Sequence, residues 1–239
     1  MVVAGRRDGR ALLGSGLLAV TLLGGAGGYG AGLLTTTGTA TAQGQAGPLA
    51  AVSPQPSTPT ASPTPTVIPK KIVPDNSPAL QADDLYYKTR SFTATSVVRS
   101  SVSVRVPGNW TLTQPDPPTL GRFTDPTSKR WIRIEAGFTI RRPPAESMAA
   151  RVKDLGSVPK NQQVTILSSE IDPKTQNATL VYTYVPEQTV RHVIVRWVAN
   201  EDGLCHFEMA TTGLPQDKSA LLAVLDRATD SSTRSDSPL

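Results

Sequence analysis

The feature that most constrains this chain is a run of 24 residues, Ala11–Leu34, without a charged side chain. A charge-free stretch of about 18 residues or more can cross the ~30 Å hydrocarbon layer of a bilayer as a helix. Residues 1–10 carry three arginines and one acidic residue. Basic residues hold their end of a membrane segment in the cytoplasm, so the sequence predicts that everything after residue 34 is extracytoplasmic.

Two fates of this segment fit the residues. It is either a retained membrane anchor, or a signal peptide that is cleaved near Ala42 to release a secreted protein. The long gap between the leucine-rich part of the run and Ala42 favours the anchor. Gly24, Gly28 and Gly32 share one face of the predicted helix, a pattern that lets two membrane helices approach closely and is compatible with dimerisation of the anchor.

Residues 35–84 have the composition of a disordered tether. Nine of the 21 prolines lie between Pro48 and Pro78, and Ser53–Thr66 is almost entirely Pro, Ser and Thr. Such a segment has too little apolar surface to offset its ordering entropy, and its prolines favour extended polyproline II. The composition fits an O-glycosylated stalk and an unmodified linker equally.

The remaining residues, 85–230, have the size and patterning of one globular domain, followed by a predicted disordered tail at 231–239. Period-two alternation predicts strands, and apolar residues at helical spacing predict two helices, one at Ala145–Leu155 and one that begins at Pro215. The predicted strands span 102–106, 131–140, 164–169, 178–185, 190–199 and 204–211. Short connections between the last strands imply antiparallel neighbours. The predicted fold class is therefore α+β, an antiparallel sheet packed with helices.

Two short motifs open this domain: Val106-Pro-Gly-Asn-Trp110, then Gly121-Arg-Phe-Thr-Asp-Pro126. They resemble the start of the PsbP-like fold, and the later order of elements also fits that fold. Within it, residues 86–230 look most similar to the LpqN-type envelope proteins of actinobacteria. The resemblance implies an α/β/α sandwich and an exported, non-catalytic adapter or binding module. LpqN-type proteins are usually anchored by a lipidated cysteine, which this chain lacks, so membrane attachment would come from residues 11–34.

Few residues are suited to catalysis or metal binding. One cysteine and two histidines exclude a disulfide framework within the chain, a thiolate zinc site and a His-rich metal centre. Alternation predicts Cys205 on the face of Phe207 and Met209, and His206 on the opposite face with Glu208, so the neighbours cannot form a Cys–His dyad. His192 and His206 on adjacent strands would make at most a weak metal pair with Glu208. We predict no catalytic residue, no metal site and no cofactor.

The candidate interaction surface lies at the two ends of the strand predicted at 131–140. It comprises Arg130, Trp131, Arg133, Arg141 and Arg142. Aromatic and arginine side chains are enriched at protein interfaces, and this charge suits an envelope protein, an anionic wall polymer or an acidic lipid headgroup. If a helix covers this face, Trp131 is instead part of the core.

The sequence therefore favours a membrane-tethered, non-enzymatic module of the bacterial envelope. The alternatives are a carrier of a lipid or other apolar ligand, and an envelope hydrolase without a recognisable motif. The modest basic excess is spread along the domain and accompanies no nucleic-acid-binding motif, so a nucleic acid is not the expected partner.

Overall fold

The computed structural model describes residues 70–138 and 142–239. The predicted anchor at 11–34 and the tether up to residue 69 lie outside the described residues. Within the described ranges, no helix combines the length and the apolar character needed to span a bilayer.

The described part contains ten strands and two α-helices. Their bounds are β1 (Tyr87–Thr95), β2 (Arg99–Pro107), β3 (Thr111–Thr113), β4 (Leu120–Thr124), β5 (Trp131–Glu135), α1 (Pro144–Gly156), β6 (Thr165–Ile171), β7 (Ala178–Tyr184), β8 (Arg191–Ala199), β9 (Cys205–Gly213), α2 (Lys218–Ser231) and β10 (Thr233–Ser237). Short 3-10 turns at Lys160–Gln162 and Pro215–Asp217 precede β6 and α2.

The strands form two antiparallel sheets. The main sheet has seven strands in the order β3-β4-β5-β9-β8-β7-β6, and the small sheet has the order β1-β2-β10. Every neighbouring pair in both sheets is antiparallel. The predicted α+β class is confirmed.

The two faces of the main sheet are covered by different elements. On one face lie α2 and the small sheet, and the core there is formed by fully buried side chains such as Val102, Phe123, Ile132, Met209 and Leu225. On the other face, α1 packs across β7 and β8. We call these the α2 face and the α1 face. The principal contacts of α1 are with β7 and β8, and Arg122 of β4 on the same face is partly exposed.

The predicted end of one strand and the predicted start of the disordered tail were wrong. The strand predicted at 131–140 ends at Glu135, because the chain turns at Gly137, whose φ of +79° lies in the left-handed region that favours glycine. The tail predicted to be disordered contains β10, which pairs with β2. Arg234 holds β10 in place by donating to the carbonyl oxygens of His206 and Phe138, both at 2.6 Å.

The last described part of the predicted tether, residues 70–84, docks on the domain. The N–H of Val73 donates to the carbonyl oxygen of Gln188 at 2.9 Å, and the N–H of Leu80 donates to the Asp217 carboxylate at 2.7 Å. The Asp75 carboxylate pairs with Lys129 at 2.8 Å. The folded part therefore begins by residue 70 and not at 85. The prediction was wrong because these contacts use backbone groups and charges that a proline-rich composition does not reveal.

Candidate functional site

Arg130, the first residue of the predicted surface, is buried in a structural ion pair. Its Nε donates to Asp217 Oδ2 at 2.7 Å and its Nη2 to Asp217 Oδ1 at 2.9 Å. Asp125 lies 3.5 Å from its Nη1, and the carbonyl oxygen of Pro78 accepts a further bond at 2.6 Å. The hydrogen bonds with Asp217 raise the pKa of Arg130 above its ordinary value. Arg130 joins the docked segment to the domain and does not belong to an exposed surface.

Arg133 lies on the α1 face in a buried charge network. Its guanidinium contacts Glu208 at 2.9 Å and Glu135 at 3.0 Å. Arg151 of α1 binds the same Glu208 oxygen at 2.6 Å, and the indole N–H of Trp197 donates to the other at 2.9 Å. Burial opposes the charge of Arg133, but the two carboxylates outweigh it and raise its pKa. The two arginines and two glutamates of this network join α1 to the sheet.

Two positively charged side chains, Arg122 and Arg191, lie beside Trp131. The guanidinium carbon of Arg122, on β4, lies 4.2 Å from the centre of the Trp131 ring, and that of Arg191, on β8, lies 5.8 Å away. Cations over an indole face are attracted by its quadrupole, so the three side chains stabilise one another. We call Arg122, Trp131 and Arg191 the arginine–tryptophan cluster. Each of the three is partly exposed.

The two cluster arginines lack carboxylate partners within the described ranges. The buried Nε of Arg122 has no hydrogen-bond partner there, and Arg191 donates from Nη1 to the carbonyl oxygen of Lys129 at 3.0 Å. Burial lowers the pKa of Arg122, and the nearby Arg133 charge lowers it further. A half-buried guanidinium without a counter-charge is electrostatically unfavourable, so the cluster is a site where an anion would bind.

Tyr184 borders the cluster on β7. Burial raises the pKa of its hydroxyl to about 12, and Arg191, Arg122 and Arg133 all lie within electrostatic range of it. The hydroxyl is therefore neutral at physiological pH and is able to donate a hydrogen bond to an anion held by these arginines.

The other two predicted surface residues lie after β5. Arg142 donates from Nε to Ser147 Oγ of α1 at 3.1 Å, and its carbonyl oxygen accepts from the N–H of Cys205 at 3.0 Å. Arg141 lies outside the described residues. The four described residues of the predicted surface do not form one exposed patch: only Trp131 belongs to the arginine–tryptophan cluster. Sequence reasoning missed Arg122 because β4 was not predicted, and missed Arg191 because it lies two strands away.

The predicted faces of β9 were wrong at its first residues. Ala199 pairs with Cys205 and Val198 with Phe207, so His206 is the extra residue of a β-bulge. Cys205 therefore lies beside Ser147 and Glu208 on the α1 face, while Phe207 joins the core on the α2 face. The His206 ring lies edge-to-face against Phe207, with ring centres 4.8 Å apart.

The remaining reactive groups are held in apolar or structural settings. Burial, followed by the Glu208 charge, raises the pKa of the Cys205 thiol to about 12. His192 pairs with Gly213 at the far end of β9, so it does not meet His206. Burial lowers the pKa of both imidazoles. In the described residues, no group of three or more His, Cys, Asp or Glu side chains is arranged to hold a metal ion.

The chain matches no protein-family model and no curated protein by sequence. Among solved structures it is similar to a cyanobacterial PsbP from Synechocystis sp., with 12% identity and a TM-score of 0.42 over 61% of this chain and 91% of that one. It is also similar to the Ran-binding protein Mog1p of Saccharomyces cerevisiae, with 11% identity and a TM-score of 0.42 over 61% of this chain and 96% of that one.

Proposed function

We propose that this chain is a non-catalytic binding module of the bacterial envelope, held at the membrane by residues 11–34, and that it recognises an acidic side chain of a partner protein through the arginine–tryptophan cluster. The proposal is in line with the LpqN-type adapters that the sequence motifs resemble. It gives the extracytoplasmic domain a specific point of contact.

The observation that carries the proposal is the state of Arg122. Its guanidinium stacks on Trp131 at 4.2 Å, is half-buried, and has a buried Nε with no partner in the described part of the chain. A carboxylate that approaches the partly exposed Arg122 side chain from outside supplies the counter-charge that the described residues do not provide.

The surroundings favour a protein as the partner. Tryptophan and arginine are the residue types that most often dominate the binding energy of protein interfaces. Arg191 adds a second positive charge on the same face, and Tyr184 adds a neutral hydroxyl donor. One carboxylate with an adjoining apolar surface would meet all of these groups together.

The test is crosslinking in intact cells with the full-length chain. Replacing Arg122 and Arg191 together with Gln should reduce the yield of the crosslinked partner about tenfold or more, the equivalent of one lost charge-assisted contact. The matched control replaces Arg99 and Arg105 with Gln. Both are exposed on the small sheet, so the control makes the same change in net charge away from the cluster.

Equal capture by the two double variants would contradict the proposal. Purified anionic wall polymer provides a second comparison: if it binds in an Arg122-dependent way and no protein is captured, the partner is a polymer and the proposal of a protein partner is wrong. Topology is tested separately with protease added to intact spheroplasts. The domain should be digested, and its protection would contradict the extracytoplasmic location.

A further inference from the structure

Strand β6 is an exposed edge with an unusual composition. It lies at the end of the main sheet, and six of its seven residues are exposed. Three of them are large and apolar: Ile166, Leu167 and Ile171 are 42%, 54% and 48% exposed. An edge strand presents unpaired backbone groups, and exposed apolar side chains make such an edge a site for pairing with another strand.

The other sheet edges in the described part are different. β3 has three residues and is followed by a proline-rich loop, while β1 and β10 expose charged and hydroxyl side chains such as Lys88, Arg90 and Asp236. Charge and short length are the usual protection of an edge strand. Residues 53–69 of this chain are a poor partner for β6, because prolines lack the N–H that a strand must donate.

A bulge in β6 gives its apolar residues a symmetric arrangement. Ile166 pairs with Tyr182 and Ile171 with Ala178, and Leu167 is the extra residue between Ile166 and Ser168. Tyr182 and Ala178 are four residues apart on β7, so both isoleucines lie on one face although they are five residues apart. Ser169 pairs with Leu180, midway between them.

We propose that the occupant of this edge is β6 of a second copy, paired antiparallel about a two-fold axis at Ser169. In this register Ile166 of each copy lies opposite Ile171 of the other, and Ser169 faces its symmetry mate. Glu170 lies opposite Ser168, so no like charges are directly opposed. The strand is self-complementary, as a two-fold interface requires. The two main sheets then form one continuous sheet, independently of any anionic partner.

The register is tested by Ser169→Cys in the full-length protein in detergent micelles. Directly opposed residues have Cα atoms about 4.5–5.5 Å apart, within the range of a disulfide. Mild oxidation should give a crosslinked dimer. The control, Thr93→Cys, places a thiol on the exposed edge β1 and should remain monomeric under the same conditions. Buried Cys205 does not compete.

The apolar pairs are tested by charge substitution and measurement of the dissociation constant by analytical ultracentrifugation. Ile166→Lys should weaken dimerisation about tenfold or more, because each dimer contains the Ile166–Ile171 pair twice. Adding Ile171→Glu should restore it, because each lysine then faces a glutamate of the other copy. Since both side chains are exposed, neither change should impair folding.

Three results would overturn the proposal. The first is equal crosslinking of Ser169→Cys and Thr93→Cys, which would reflect association through the anchor alone. The second is failure of the Ile166→Lys/Ile171→Glu pair to recover the affinity that the single substitution lost. The third is a monomeric wild-type protein at all concentrations, which would leave the edge to a different partner.

Discussion

Replacing Asp217 with Ala should destabilise the domain more than any substitution at its surface. The Asp217 carboxylate is fully buried and accepts four hydrogen bonds: two from Arg130 at 2.7 and 2.9 Å, one from the N–H of Leu80 at 2.7 Å and one from the N–H of Leu214 at 2.9 Å. Removing one member of a buried ion pair costs about 3–5 kcal/mol. Here the N–H groups of Leu80 and Leu214 also lose their acceptor, while Asp125 stays 3.5 Å from Arg130, so we expect a loss near the lower end of that range. That is a large part of the ~5–15 kcal/mol that stabilises a typical domain.

The loss should be measured by urea unfolding of the full-length protein in detergent, followed by tryptophan fluorescence. All three tryptophans, Trp110, Trp131 and Trp197, belong to the domain, so the signal reports its unfolding alone. The matched control is Asp226→Ala. Asp226 is 50% exposed and pairs with Arg196 at 2.8 Å, so its loss should cost at most about 1 kcal/mol.

The stability that Asp217→Ala loses should also depend on pH. Burial raises the pKa of Asp217, but the hydrogen bonds from Arg130, Leu80 and Leu214 outweigh burial and hold it below the ordinary value. A depressed pKa contributes stability that is fully present above the unfolded value of about 3.9 and is lost as pH falls through the folded value. The difference between wild type and Asp217→Ala should be constant near neutral pH and shrink below about pH 4. A loss no larger than that of Asp226→Ala, or a difference that grows in acid, would refute this reasoning.

Two further predictions concern single residues. Cys205 should resist alkylation in the native protein at pH 8 and react once urea unfolds it, because it is buried and its pKa is raised to about 12; rapid labelling of native protein would contradict this placement. Gly137→Ala should cost about 1–3 kcal/mol in urea unfolding and Gly203→Ala less. Both have positive φ, but a Cβ at Gly137 would lie 3.0 Å from the Ser96 nitrogen while one at Gly203 meets open space, so equal losses would show that φ alone decides.

The elements that sequence predicted correctly are those with a strong apolar period. The valines of β2 and the isoleucines of β5 alternate with polar residues, and each is fully buried. Strands β1, β3, β4 and β10 were not predicted, because they are short or have mostly polar side chains, as Thr233–Ser237 shows. Such a strand forms because a neighbouring strand supplies hydrogen-bond partners for its backbone, and for β10 that neighbour, β2, is distant in the sequence.

The sequence predicts the candidate site only in part, for a similar reason. Trp131 was found because tryptophan beside arginine stands out in the sequence, but its partners were misassigned. Arg122 and Arg191 reach it from other strands, and the sheet order that joins them is not encoded by spacing along the chain. Arg130 and Arg133 were predicted to be exposed beside Trp131, but the carboxylates that bind them come from 87 and 75 residues away in the sequence.

The docking of residues 70–80 determines how the domain would bear tension from a membrane attachment. A pull on the N-terminal side of Lys70 first loads the bonds of Lys70 with Val185 and Gln163. It next loads Val73 and Asp75, and then the bonds at Arg130 and Asp217, which lie at the starts of β5 and α2. The force thus reaches the domain at the end of β7, the β7–β8 connection and the starts of β5 and α2, and not at an edge strand of the main sheet. Tension on the tether would therefore act on these contacts before it acts on an edge strand of the domain.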